Sequence, residues 1–171
     1  MILETGELES PIGKVFVIVC GDRLCGLGFG EQWPRKQALL EKRFGQAERR
    51  TTADPAGVIS RLRKYFAGEL DALDTIVVDT GGTPFQQRVW SELRKIRVGR
   101  TASYGDIARA IGAPTAVRAV GAANGANPVG IVVPCHRVIG TNGSLTGYGG
   151  GIERKRWLLR HESAQHELRV A

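Results

Sequence analysis

Cysteine is scarce in this sequence, and long apolar runs are missing from it. The 171 residues contain three cysteines, an odd number, and Cys20 and Cys25 lie far from Cys135. This pattern excludes a disulfide framework and predicts reduced thiols in a cytoplasmic protein. No apolar run approaches the ~18 residues that a membrane span needs. The first ten residues hold three glutamates and no basic residue, which is unlike a secretory signal.

Acidic residues are scarce in the second half of the chain, and this imbalance points to a polyanionic partner. The whole chain carries a net charge of +7. Residues 1–80 hold 11 basic and 12 acidic residues, whereas residues 81–171 hold 13 basic and 5 acidic residues. The basic character therefore belongs to the second half, and nucleic acid is the usual partner of such a surface. The alternative is a solvated basic face without a partner.

The first 80 residues are predicted to form a small α/β lobe. Turn-forming residues separate three predicted strands, at residues 2–8, 14–20 and 23–29. A helix is expected over residues 34–44, and apolar residues at helical spacing predict a second helix within residues 55–68. The segment DTIVVDT, residues 74–80, is predicted as a short strand, and the glycines at 81 and 82 as a linker.

The second lobe, residues 81–171, is predicted to be mainly helical and to contain a helix-turn-helix. Thr83 is a suitable N-cap for a first helix, and Ser103, with Asp106 three residues later, forms a partial capping box for a second. A turn with glycine and proline then leads to TAVRAVGAANG, a short helix of small residues with one long cation, Arg118. Small residues permit close approach to a duplex; alternatively, they only permit close helix packing.

The segment IVVPCHRVIG places a thiol, an imidazole and a guanidinium where an apolar, strand-like run reaches Pro134. A nucleophilic Cys135 would need a nearby base, and His136 is its neighbour. Neighbouring side chains on a strand point to opposite faces, so the two converge only if the chain turns at Pro134. Glu162, in a half with few acidic residues, is the candidate that would orient the imidazole. From spacing alone, an inert core cysteine remains the alternative.

Metal and phosphate sites are disfavoured by the spacing of the residues that would form them. The histidines at 136, 161 and 166 form no HxxxH pair, and the cysteines form no CxxC pair. The glycines at 143–151 match no phosphate-binding motif, so close backbone approach to a flat ligand is the preferred interpretation and a flexible loop the alternative. Tyr148 within this loop could stack on a base, and Tyr104 could donate a hydrogen bond; either could equally be a core residue.

Taken together, these motifs resemble those of the O6-alkylguanine-DNA alkyltransferases. PCHRVIG is preceded by NP and followed by LTGYGGGIERKRWLL, as in the active-site region of that family. The similarity extends back through FQQRVW, SYGDIA and RAVGAANGANP and spans residues 75–163. The first lobe is similar only loosely, through SPIG and YFAGEL.

The resemblance implies a fold and an activity. It implies a ribonuclease-H-like α/β lobe over residues 1–80 and a winged helix-turn-helix lobe over residues 81–171. The expected activity is DNA repair: double-stranded DNA is bound through the minor groove, and an O6-alkylguanine, or an O4-alkylthymine, is flipped out of the stack. Cys135 would take the alkyl group irreversibly as a thioether. We expect one turnover per molecule, no cofactor, no structural zinc and a monomer, with cooperative binding along DNA left open.

The resemblance also implies roles for individual residues. His136 matches a base that acts through a water, Glu162 the carboxylate that orients it, and Tyr104 the hydroxyl that hydrogen-bonds N3 as guanine leaves. Arg118 matches the residue that fills the gap left by the flipped nucleotide. Other residues are expected to contact DNA, to form the pocket or to tie the recognition helix to the active-site turn. They are Thr115, Ala119, Asn127, Val138, Tyr148, Gly149 and Gly150.

Two departures from the family pattern bear on substrate range. Gly149 stands where some relatives carry serine, and Gly125 where some carry a larger basic side chain, so tolerance of bulky O6 adducts stays open.

Two other functions compete with alkyl transfer. A non-enzymatic lesion binder would have another residue in place of Cys135, and a transcription regulator would leave PCHRV and the glycine-rich loop unexplained.

Overall fold

The computed structural model describes residues 1–163 and 169–170. The chain divides into two compact units, Met1–Thr80 and Gly81–Ala171. Within the described residues, none of the helices is long and apolar enough to span a membrane.

A four-stranded sheet organises the first unit. The strands lie in the order β3-β2-β1-β4, with β1, β2 and β3 antiparallel and β4 parallel to β1. The three predicted strands are confirmed, and the fourth was missed because all its side chains are exposed, so it carries no apolar signal. Their bounds are Ile2–Ser10 (β1), Gly13–Cys20 (β2), Arg23–Phe29 (β3) and Glu48–Thr51 (β4).

Two helices cover this sheet. Helix α1, Trp33–Phe44, packs against β3, and α2, Val58–Phe66, packs against β1. Both predicted helices are confirmed. The strand predicted at residues 74–80 is wrong: only Val78 forms a bridge, to Leu24. Turn hydrogen bonds just before this bridge, including one from Ile76 N to Leu73 O at 3.2 Å, keep the segment from extending along β3.

Three helices form the framework of the second unit. They are α3 (Pro84–Leu93), α4 (Tyr104–Ala110) and α5 (Val117–Gly125). Thr83 and Ser103 cap α3 and α4 as predicted, and both capping boxes are complete. The buried indole of Trp90 donates to Ala123 O at 2.8 Å and so ties α3 to α5.

The apolar stretch before Pro134 is not a strand, contrary to expectation. Residues 129–139 are all buried, so their apolar character reflects burial in the core rather than pairing in a sheet. The chain turns repeatedly here, and Ile131 adopts the left-handed region with φ 66°. This conformation is costly for a β-branched residue and requires support from the surrounding packing.

Short strands and one helix complete the second unit. Ala102–Ser103 (β5) pairs in parallel with Val138–Ile139 (β6), directly after the Cys135 turn. The last elements are Ser144–Leu145 (β7), Ile152–His161 (α6) and Arg169–Val170 (β8), which pairs in parallel with β7. On α6, Leu158 and Leu159 are buried, whereas Ile152 and Trp157 are only half-buried.

Candidate active site

Cys135 opens a single 3₁₀ turn that ends at Arg137. Pro134 precedes it, and its carbonyl accepts from Arg137 N at 3.0 Å. The backbone N–H of Cys135 donates to Val133 O at 2.8 Å, and 7% of the residue is exposed. The turn removes the alternation of an extended strand, which would send Cys135 and His136 to opposite faces. The extended strand that would keep the two side chains apart is therefore absent from this turn.

His136 is fully buried and faces Glu162. Its Nε2 lies 2.9 Å from Glu162 Oε1, while Nδ1 has no hydrogen-bond partner in the described protein. Burial lowers the pKa of His136; Glu162 opposes this shift, whereas Arg137 and Lys155 add to it. We assign the proton to Nε2 because a carboxylate can only accept, which leaves Nδ1 as a free acceptor on a neutral ring.

Glu162 is held as a buried carboxylate by two neighbours in the Cys135 turn. Arg137 donates to both of its oxygens, from Nε to Oε2 at 2.9 Å and from Nη2 to Oε1 at 2.8 Å. The remaining Arg137 donor, Nη1, binds Ile96 O at 2.7 Å, just beyond the end of α3. Burial opposes ionisation, but the hydrogen bonds from His136 and Arg137 and the charge of Arg137 outweigh it, so the pKa of Glu162 lies well below its ordinary range.

Lys155 is a second buried cation, and it joins two segments around Cys135. Its side chain is fully buried on α6, and Nζ donates to Val138 O at 2.6 Å and to Thr146 O at 3.2 Å. Burial lowers the pKa of Lys155 to about 8, and the nearby Cys135 opposes the shift. The lysine therefore links the strand that follows the turn to the glycine-rich loop, within electrostatic range of the thiol.

The glycine-rich loop, residues 140–151, brings the two tyrosines into the same region of the unit. Tyr104 accepts a hydrogen bond from Thr146 Oγ1 at 3.0 Å. Tyr148 is half-buried as a residue, yet desolvation of its hydroxyl raises its pKa well above the ordinary value. Gly149 is exposed, and Gly150 is buried with its carbonyl accepting from Arg154. The loop thus offers backbone groups without side chains, as a flat ligand would require.

Three of the residues predicted to contact DNA are exposed. Arg118 and Ala119 lie on the exposed face of α5, and Thr115 is exposed just before this helix. Asn127, just past the end of α5, is buried: its Nδ2 donates to Val133 O at 2.8 Å, and its Oδ1 accepts from Val129 N at 2.9 Å. Asn127 therefore ties the end of α5 to the segment that leads to Cys135.

Three residues around Cys135 were given no role by the sequence analysis. They are Arg137, Lys155 and Asn124, all charged or polar and all buried. For Lys155 a signal was present, because positions 155, 158, 159 and 162 share one face of a helix that also carries two buried leucines. For Arg137 the signal was weaker: it precedes the buried pair Val138–Ile139. For Asn124, the pattern of residues on the helix gave no signal of a role near Cys135.

No metal site is found in the described part of the chain. Its His, Cys, Asp and Glu residues form no group of three that could hold an ion. His136 is engaged by Glu162, and the ring of His161 stacks on Trp157 with 4.6 Å between centroids. His166 lies outside the described residues.

Two family models match this chain. Residues 84–164 match "6-O-methylguanine DNA methyltransferase, DNA binding domain", and residues 5–80 match "6-O-methylguanine DNA methyltransferase, ribonuclease-like domain". Together the two matches cover nearly the whole chain, and each falls within one of the two compact units.

Curated relatives and solved structures agree with this match. A methylated-DNA–protein-cysteine methyltransferase of Mycolicibacterium paratuberculosis is 60% identical over 98% of this chain and 99% of its own length. One from Shigella flexneri is 49% identical over 91% of this chain and 93% of its own. The crystal structure of Mycobacterium tuberculosis OGT in complex with DNA has a TM-score of 0.80 and 45% identity, covering 94% of this chain and 93% of that one.

Removing the charge of Glu162 should destabilise the fold strongly. In Glu162→Gln, the buried Arg137 guanidinium loses its counter-charge, and breaking such a pair costs about 3–5 kcal/mol. Urea unfolding at neutral pH measures the loss. Glu153→Gln is the matched control on the same helix: Glu153 is 86% exposed, and losing its pair with Arg156 should cost about 0–1 kcal/mol. Equal losses in the two variants would contradict the role of a buried charge pair.

Lys155 should make stability rise with pH in the alkaline range. Between its lowered pKa of about 8 and the ordinary value of 10.5, the unfolded chain binds this proton and the folded chain does not. The free energy of unfolding contributed by Lys155 therefore increases with pH through that window. Urea unfolding at about pH 7.5 and about pH 10 should show a rise in wild type that Lys155→Met lacks. The exposed Lys95→Met variant should keep the wild-type pH dependence; loss of the rise there would contradict the assignment.

Proposed function

The chain belongs to the 6-O-methylguanine DNA methyltransferase family, enzymes that repair alkylated DNA by transfer of the alkyl group to a protein cysteine, and we propose that Cys135 is the acceptor. One observation carries this proposal: the turn that holds Cys135 also presents His136 to a buried carboxylate 2.9 Å away. Cys20 and Cys25 have no comparable setting, since both belong to a core cluster of the first unit.

The buried polar groups support a displacement at the alkyl carbon. The thiol proton passes through a water to the free nitrogen of neutral His136, and Glu162 stabilises the imidazolium that forms. The thiolate then forms the C–S bond as the bond from the alkyl carbon to guanine O6 breaks, and guanine leaves with the electron pair. A hydrogen bond from the Tyr104 hydroxyl stabilises the charge that develops on the departing base.

The product explains why the reaction is stoichiometric. A thioether does not hydrolyse readily, and the site offers no second thiol to displace it. Cys135 is therefore consumed, each molecule acts once, and the displacement needs no cofactor. Loop residues without side chains, Gly149 and Gly150, together with Tyr148 and Val138, form the pocket for the base.

DNA binding belongs to the second lobe, residues 81–171, in a winged helix-turn-helix. Its net charge of +8 suits a duplex. Helix α5 enters the minor groove with its small residues, including Ala119, against the backbone, and Thr115 contacts DNA just before the helix. Arg118 fills the gap left by the extruded O6-alkylguanine, since a base inside the stack cannot reach Cys135. The same pocket accepts O4-alkylthymine.

The first lobe, residues 1–80, is the ribonuclease-H-like domain, supported by its mixed sheet with β4 parallel to β1. The protein acts as a cytoplasmic monomer, in keeping with its free thiols. The partner is double-stranded DNA that carries the damaged base.

Incubation with duplex DNA containing O6-methylguanine should add one methyl group per chain. Intact-mass spectrometry followed by peptide mapping should place it on Cys135, because that thiol alone has an adjacent, oriented base. Cys135→Ser should gain no mass, and the matched variant Cys20→Ser should react as wild type does. Methylation that persists in Cys135→Ser, or lesion binding by reduced wild type without a gain in mass, would contradict the proposal.

Arg118→Ala should slow transfer from duplex DNA by roughly 10-fold or more, because holding a base outside the stack costs a few kcal/mol. Transfer from free O6-methylguanine base should change by less than about twofold, as for an ordinary surface substitution. Arg109→Ala, which removes an exposed cation from the neighbouring helix α4, is the control for lost charge. If Arg109→Ala and Arg118→Ala slow the duplex reaction equally, Arg118 contributes charge alone and has no part in extrusion.

A further inference from the structure

Asn124 is a buried amide that contacts the nucleophile's own backbone. It lies on α5, six positions after Arg118, and is 5% exposed. Its Nδ2 donates to Cys135 O at 3.3 Å, and its Oδ1 has no hydrogen-bond partner in the described protein. The helix that carries Arg118 toward DNA therefore also reaches the residue proposed to accept the alkyl group.

The orientation of this amide follows from its partner. The carbonyl of Cys135 can only accept, so the NH₂ group of Asn124 must face it and the oxygen must point away. Asn127 differs, because both its amide nitrogen and its amide oxygen are paired with backbone groups. A buried acceptor without a partner is unfavourable for stability. Asn124 is thus poorly explained as a residue that serves the stability of the fold.

The contact fixes the peptide unit that Cys135 shares with His136. A peptide bond is planar, so the carbonyl of Cys135 and the N–H of His136 turn together. This carbonyl accepts a second hydrogen bond, from Val138 N, within the turn itself. The hydrogen bond from Asn124 comes from α5 and restrains the orientation of this peptide plane. The orientation of the plane in turn sets the directions in which the thiol and the imidazole project.

We propose that Asn124 is a positioning residue for alkyl transfer, which holds the Cys135–His136 peptide so that the thiol can deliver its proton to the imidazole. The proposal rests on the proposed function of Cys135 as acceptor. In this proposal, α5 links the DNA-contacting surface directly to the nucleophile. Removing the amide should therefore impair the reactivity of the thiol more than it impairs folding or DNA binding.

Two variants of Asn124 separate positioning from stability. Asn124→Leu keeps the branched shape of the side chain and removes both the donor and the unpaired oxygen, so the thermal midpoint should be maintained. Asn124→Ala removes the donor and the unpaired oxygen without adding a titratable group, and it tests the contact if the leucine variant fails to fold. Trp90→Phe is the matched control, because it removes a side-chain hydrogen bond to the adjacent α5 residue, Ala123, without touching Cys135.

The first readout is the pH dependence of Cys135 alkylation by iodoacetamide, followed by peptide mapping. In the Asn124 variants the midpoint should move upward, toward the ~8.5 of a free thiol, because the imidazole no longer takes the proton efficiently. The titratable and charged groups around Cys135 are unchanged in these variants: His136, Arg137, Tyr148, Lys155 and Glu162. A shift in the profile therefore reports geometry and not a lost charge.

The second readout is the single-turnover rate of methyl transfer from duplex DNA containing O6-methylguanine, with DNA affinity measured separately. The rate should fall roughly 10- to 100-fold, as expected for a misplaced reacting group. Affinity for DNA should change by less than about twofold, and Trp90→Phe should show the wild-type iodoacetamide profile. If the Asn124 variants match Trp90→Phe in both profile and rate, the proposal is overturned. If wild type takes up no methyl group, the proposed function fails, while the iodoacetamide profile still decides the role of Asn124.

Discussion

The second unit depends on one buried carboxylate. Glu162 follows the last turn of α6 and receives hydrogen bonds from His136 and Arg137, two consecutive residues of the Cys135 turn. Arg137 extends the connection to Ile96, just beyond α3. A lone buried carboxylate would be protonated, and the guanidinium keeps it charged. The same three side chains therefore contribute to the core and hold the imidazole in the tautomer that leaves Nδ1 free to accept a hydrogen bond.

The electrostatics of the site favour a neutral ring at His136. The buried cations Arg137 and Lys155 both disfavour protonation of the imidazole. Lys155 is also near enough to the thiol for each charge to affect the other. The same few groups therefore affect both the thiol and the imidazole. A stronger positive field lowers the pKa of each, which favours the thiolate but makes the imidazole a weaker base. Glu162 compensates by stabilising the ring once it is protonated.

Local features of the fold could be predicted from the sequence, and distant contacts could not. Thr83 and Ser103 cap their helices through residues three positions away, so a short window contains the whole interaction. Residues 129–133 were assigned as strand because burial and pairing give the same apolar pattern. Residues 74–80 were assigned as strand from their apolar, β-branched residues, although only Ile76 among them is buried. The Cys135 motif was recognisable as a sequence. The bonds from Arg137 to Ile96 and from Asn124 to Cys135, 41 and 11 positions apart, appear only when the chain is folded.

Ile131 shows how such a site constrains the rest of the chain. Its left-handed backbone, with φ 66°, costs about 1–3 kcal/mol for a β-branched residue, and glycine would remove that cost. Yet the buried isoleucine side chain helps anchor the path from Asn127 to Cys135, and glycine would leave that path looser. Replacing Ile131 with glycine would relieve the backbone strain but would remove the packing contacts of the side chain. Residue 131 is therefore a position where backbone conformation and side-chain packing place conflicting demands on the choice of amino acid.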